Sequence, residues 1–119
     1  MRMTEQRKMI LEILHHAEKP LTCEEIYSKI QNDKLNLSTV YRSLEAFFIS
    51  KDVYKTIINQ KQYYYTGHHH HFLVCLSCNE MIAVGCSIEK NEKAIGIPYG
   101  FQVTHHDMTL YGYCSSCQN

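Results

Sequence analysis

The stretch HHHHFLVCLSC at residues 68–78, read together with YGYCSSC at 111–117, decides the fold. Cys75-x-x-Cys78 and Cys114-x-x-Cys117 are two matched knuckles. A two-residue gap lets both thiolates of a knuckle face one ion while the backbone turns. Four such sulfurs suit closed, tetrahedral structural Zn²⁺, with bonds of about 2.3 Å. Thirty-five residues separate Cys78 from Cys114, so the ion would tie the end of the chain back to the strand before Cys75. That staple has a purpose, because a segment of about fifty residues buries too little apolar surface to be secure alone. Structural zinc adds roughly 10–16 kcal/mol of apparent binding energy in small zinc folds. Neither a Trp nor a Gly-Pro surrounds the knuckles as in a redox Cys-x-x-Cys, so metal binding is the expected reading.

The histidines run straight into an expected strand at 72–75. On an extended chain His68 and His70 point one way, and His69 and His71 the other, so one ladder can feed two metal sites. A site of His68, His70, Glu89 and His106 would offer three imidazoles and a carboxylate, a donor set that suits Zn²⁺. His69 and His71 would start a second site, with Gln62, Tyr65, Cys23 or Glu80 as candidates to complete it. His105 is a further candidate donor. His15 and His16 fall at a helix end, where they complement the dipole.

Five of the six cysteines and six of the eight histidines lie after residue 67. In a reducing compartment such clusters read as metal ligands before disulfides. Residues 1–66 hold ten Lys/Arg against eight Asp/Glu, and residues 67–119 two against four. The first half is mildly basic, a bias too small to establish nucleic-acid binding by itself. No apolar run reaches the roughly 18 residues of a membrane span, and no charged leader precedes an apolar core. A cytoplasmic protein with no membrane partner is the expectation.

Upstream of the ladder, Ile10, Ile13 and Leu14 recur at helical spacing after a capping Thr4, predicting a helix over 4–16. Lys19-Pro20 breaks it. Thr22-Cys23-Glu24-Glu25 is a capping box that opens a second helix with Cys23, Ile26 and Ile30 on one face. Residues 31–36 read as a turn. A third helix starts near Ser38, with Val40, Leu44 and Phe47 on one side and Tyr41, Arg42 and Glu45 on the other, toward solvent or a partner. Residues 53–58 and 62–66 read as strands around an Asn59-Gln60-Lys61 turn. Three helices and a hairpin make a winged helix-turn-helix. After Thr66-Gly67 the pattern predicts strands at 72–75 and 81–84, a helix over 88–97 ended by Pro98, and a strand over 103–113. The class is α+β: a winged helix over 1–66 and a small α/β domain over 67–119 with the four-cysteine zinc site.

Taken in order, Met3-Thr4-x-x-Arg7-x-x-Ile10-Leu11, Glu25-Ile26-Tyr27, Ser38-Thr39-Val40-Tyr41-Arg42-x-Leu44, the histidine ladder, Gly100-Phe101, His106 and the two knuckles resemble the ferric uptake regulator (Fur) family over nearly the whole chain. The resemblance implies a homodimeric repressor that binds double-stranded DNA at a near-palindromic operator. It implies DNA contacts from Ser38 and Thr39 in the recognition helix, and base contacts from Tyr41 and Arg42, the pair that helical spacing also turns outward. Arg is the usual bidentate reader of guanine, and Tyr can pack on a thymine methyl. Arg2 matches a basic residue used near the minor groove. Cys86 resembles a cysteine of some zinc-responsive members, which favours Zn²⁺ over Fe²⁺ or Mn²⁺ as the second divalent ion. Lys51 replaces the usual glycine before the wing, and a carboxylate that the peroxide-sensing branch wants near Ala83 is missing.

The expected function is metal-dependent repression in metal-ion homeostasis, with iron- or peroxide-responsive regulation as the alternative. An enzyme is not expected and no small-molecule substrate is implied, since a catalytic zinc needs an open position and a general base. A four-thiolate site is closed, and no His-Glu-x-x-His is present. A zinc-ribbon interaction module is the reading outside the family; it would need neither a dimer nor a palindromic operator.

Overall fold

A computed structural model describes residues 3–30, 35–88 and 90–118. It divides into two compact units, Met1–His68 and His69–Asn119.

In the first unit, helix α1 (Glu5–His16) begins where the Thr4 hydroxyl accepts the Arg7 N–H at 3.2 Å. A short strand β1 (Leu21–Thr22) follows, and helix α2 (Cys23–Lys29) opens on the reciprocal capping box of Thr22 and Glu25. Helix α3 (Leu37–Ile49) is capped by Asn36, whose side-chain oxygen accepts the Thr39 N–H at 2.9 Å. Each cap satisfies one of the amide donors that a helix start leaves unpaired. The core is the meeting of three helical faces: Ile10 and Leu14 from α1, Cys23 and Ile26 from α2, and Val40, Leu44 and Phe47 from α3. Leu21, Val53 and Tyr64 close it from the sheet side.

Strands β2 (Tyr54–Ile58) and β3 (Lys61–Tyr65) form the wing, and β1 pairs with the far side of β3. Ile58 faces Lys61, so the connection is the two residues Asn59 and Gln60, at φ 51° and 68°. Positive φ at both positions is the backbone a tight hairpin turn needs to match the strand twist. The pattern of apolar residues did not anticipate β1, which is too short to show a period.

In the second unit, β4 (His71–Cys75) is the centre of a three-stranded sheet. It pairs antiparallel with β5 (Met81–Val84) and parallel with β6 (Thr109–Gly112). The helix expected over 88–97 differs: α4 spans only Glu92–Gly96, and the chain continues as a 3₁₀ turn through Pro98 (Ile97–Tyr99). Proline lacks an N–H but tolerates the first turn of a helix, so it tightens this one instead of stopping it. Gly100 in the left-handed region (φ 69°) ends it. Gly96 has no room for a side chain, since a Cβ there would lie 2.6 Å from Val103 Cγ2 and 2.8 Å from the Phe101 carbonyl. The strand expected over 103–113 narrows to β6, because the backbone through His105 and His106 pairs with no strand. The turn expected at 31–36 lies largely outside the described residues. Among those residues no helix is long and apolar enough to cross a membrane.

Candidate metal centres

The parallel pairing of β4 with β6 brings the two knuckles to one end of the sheet. Cys75 closes β4 opposite Gly112, and Cys114 follows β6 by two residues. The donor atoms of Cys75, Cys78, Cys114 and Cys117 all lie within 4.8 Å of one another, and none of the four is in a disulfide. The Cys78 and Cys114 sulfurs are 3.8 Å apart. A disulfide would need about 2.05 Å, whereas two thiolates on one tetrahedral zinc at about 2.3 Å sit roughly 3.8 Å apart. Backbone N–H groups of Cys114 (3.4 Å) and Cys78 (3.5 Å) point at the Cys75 sulfur. They, the Cys114 amide foremost, pull the Cys75 thiol down to about 6. The Cys114 sulfur beside Cys117 pushes that thiol up to about 12. Four thiolates crowd one another unless a cation lies between them. The donors, spacing and conflict fit a closed four-sulfur zinc site.

A second convergence forms at the opposite end of β4. The donor atoms of His69, His71, Cys86 and His106 lie within 4.8 Å of one another. His106 Nε2 is 2.9 Å from His69 Nε2, 2.9 Å from His71 Nε2 and 3.2 Å from Cys86 Sγ. The other nitrogens show what this means. His71 Nδ1 is 3.0 Å from the Met108 carbonyl, and His106 Nδ1 is 2.8 Å from Glu92 Oε1. A carbonyl and a carboxylate only accept, so both Nδ1 atoms carry the hydrogen. In the neutral rings both Nε2 atoms therefore present lone pairs, 2.9 Å apart. Such lone pairs repel without a cation between them. Burial, then the neighbouring His69 and His106, hold the His71 imidazole below its ordinary range, so it favours the neutral, metal-binding form. His71 is buried and the other three donors are half-buried. Three imidazoles and a thiol with satisfied outer nitrogens fit a divalent ion of borderline softness.

This grouping differs from the expected one. Strand alternation does separate the ladder into two faces, but His106 joins His69 and His71. His70 lies outside the cluster, its ring 4.8 Å from Phe72. His68 falls in the first unit, and Glu89 lies outside the described residues. Cys86 and His106, not Gln62, Tyr65, Cys23 or Glu80, join His69 and His71. His105 is exposed, with its ring nitrogen 2.8 Å from the Thr104 hydroxyl. Glu92 was not anticipated. Its only signal was scarcity, as one of four carboxylates after residue 66.

In the first unit Ser38, Tyr41 and Arg42 are exposed on α3 and Thr39 is half-buried. Arg42 Nε reaches back to the Ser38 carbonyl at 3.4 Å. Glu45, expected on the same outward side, instead turns to the wing, where Lys55 Nζ (3.1 Å) and the Tyr64 hydroxyl (2.9 Å) donate to it. Burial, then Glu45, raises the Tyr64 phenol well above its usual range and keeps it a donor. Arg2 lies outside the described residues.

Comparison with known proteins shows the family and the fold. The ferric uptake regulator family model matches residues 1–111. The ferric uptake regulation protein of Vibrio cholerae serotype O1 is 35% identical over 127 aligned positions, covering 98% of this chain and 82% of that protein. The peroxide-responsive repressor PerR of Staphylococcus saprophyticus is 30% identical over 128, covering 99% and 83%. Among solved structures, the ferric uptake regulator of Francisella tularensis with iron superposes with a TM-score of 0.72 at 26% identity, covering 98% of this chain and 94% of that one.

Proposed function

This chain belongs to the ferric uptake regulator family, and on that premise we propose that it is a DNA-binding repressor of metal-ion homeostasis genes whose effector is zinc. Members of the family are metal-responsive regulators, not enzymes, and so is this chain. The observation that carries the finer reading is the lone-pair convergence of His71 and His106 beside His69 and the Cys86 thiol. A thiolate in the donor set favours zinc over Fe²⁺ or Mn²⁺, which prefer harder ligands.

Under this reading Cys75, Cys78, Cys114 and Cys117 hold a structural zinc, and His69, His71, Cys86 and His106 hold the regulatory ion. A bound divalent ion supplies the charge that lets these donors converge. His69 is the first residue of the second unit and His71 opens β4, so ordering the ligands orders the segment that joins the units. Residues 1–66 act as the reading head: Ser38, Thr39, Tyr41 and Arg42 on α3, with Arg2, face a near-palindromic operator in the cytoplasm. The segment 67–119 pairs two subunits into a homodimer. Its exposed Ile97, Tyr99 and Phe101 support that role, since a monomer seldom leaves such apolar area uncovered. A 100-fold preference of the effector for the DNA-competent form would supply about 2.7 kcal/mol.

The test is a metal count per subunit joined to operator binding under zinc, iron and manganese. Two ions per subunit, with the labile one promoting DNA binding at the lowest free concentration when it is zinc, is the expected result. DNA affinity indifferent to removal of the labile ion would overturn the switch. Preference for iron or manganese would overturn the effector.

A further inference from the structure

We propose that Glu92 is the positioning residue of the His69/His71/Cys86/His106 centre: it fixes His106 in the form whose Nε2 faces the other three donors, and it supplies the charge that balances the loaded site. The inference rests on the reading that those four residues hold the regulatory ion.

The geometry separates Glu92 from a ligand. Its carboxylate meets Nδ1 of His106 at 2.8 Å, while Nε2 of the same ring faces His69, His71 and Cys86. The two nitrogens of an imidazole point away from each other, so an ion on Nε2 lies beyond Glu92's reach. Glu92 accordingly falls outside the set of converging donors. The contact is also sheltered, with side-chain exposures of 14% and 16%, so solvent screens it little.

Position on the chain makes the contact dependable. Glu92 is the first residue of α4, and Gly96 at the other end of that helix packs against Phe101 and Val103 in the segment leading to His106. The two imidazoles are anchored differently. His71 leans on the neutral Met108 carbonyl and His106 on a carboxylate. The difference matters for charge. A divalent ion with one thiolate and three neutral imidazoles leaves one positive charge in a half-buried site. Glu92 cancels it from the outer shell without occupying a coordination position. Carboxylates behind metal-bound histidines raise ligand basicity and fix the ring, and removing them costs 10- to 100-fold in affinity as a rule.

The experiment uses the full chain with its four-cysteine zinc retained, as wild type, Glu92→Ala and Glu92→Gln. Co²⁺ titration reads affinity and ligand field, and long-range ¹H–¹⁵N spectra of the chelated protein read which His106 nitrogen bears hydrogen. The expected result is Nδ1–H in wild type, a shift toward Nε2–H in Glu92→Ala, and Co²⁺ and Zn²⁺ binding weakened about 10- to 100-fold there. Glu92→Gln should keep Nδ1–H, because its amide oxygen still accepts, and lose less. The d–d and thiolate charge-transfer bands should keep their positions in all three. Displaced bands in Glu92→Ala would overturn the proposal by making Glu92 a ligand. Unchanged tautomer and affinity in both variants would overturn it as well. A wild-type chain that takes up no second ion would instead defeat the regulatory-site reading, and the tautomer of His106 would still decide Glu92's role. Circular dichroism and the retained zinc report whether each variant folds.

Discussion

Six thiols of one chemical type face three kinds of surroundings in this chain. Cys23 is buried in the core of the first unit, and desolvation pushes it up to about 11. Since the thiolate is the reactive form, native protein should leave Cys23 unlabelled by iodoacetamide at pH 8 and label it fully in denaturant; mass spectrometry of the tryptic peptide checks this. The knuckle thiols were legible from their spacing alone, because a two-residue gap is itself the geometry. The place of Cys86 is not legible in the sequence: nothing there says that the turn after β5 returns toward His106. Alternation puts His69 and His71 on one face of the ladder, yet it cannot tell which face a histidine from a distant loop will join. Glu92 was invisible for the same reason. Pairings across a fold depend on where loops land, and periodicity does not encode that.

Helices and turns announce themselves locally. The Thr22–Glu25 capping box was readable because both of its hydrogen bonds close within four residues. Thr22→Ala should cost about 1 kcal/mol, seen as a lower urea midpoint with unchanged slope in chemical unfolding of the chain. The third helix was placed by its apolar stripe. What the stripe could not show was Glu45 turned to Lys55 and Tyr64, which ties α3 to the wing and leaves Tyr41 and Arg42 as the outward pair. For the proposed operator contact, Arg42→Ala should cost about 1–3 kcal/mol and relax the base preference at one position per half-site; fluorescence anisotropy on operator variants measures both. The helix expected over 88–97 forms only from Glu92, because the chain turns through Lys90 and Asn91 before α4.

The two units rest on different supports. The first has a shared core of three helices and a sheet, and its layout was legible because each piece has its own pattern. Among the described residues the second has few fully buried side chains, such as Phe72, Val74 and Cys75 of β4. The four knuckle sulfurs converge at one end of its sheet, where the proposed structural zinc would staple it. Cys114→Ser should therefore unfold residues 69–119 and spare residues 1–68, visible as loss of dispersed ¹H–¹⁵N signals from the second unit alone. The parallel order of its sheet was not legible, since β6 is short and its neighbours in sequence lie in loops.

That short strand carries a consequence. In β6, Thr109 and Gly112 are half-buried and Leu110 and Tyr111 exposed, so burial does not alternate and cannot choose between one alignment on β4 and the next. A slip of one residue reverses every side chain and moves the trailing cysteines by about 3.3 Å, too far to close a zinc shell. A zinc ion held by the four sulfurs would thus work as a ratchet pawl on strand alignment. A chain stripped of it would be left with a mispaired, apolar edge, the kind of surface on which further copies stack and fibrils begin.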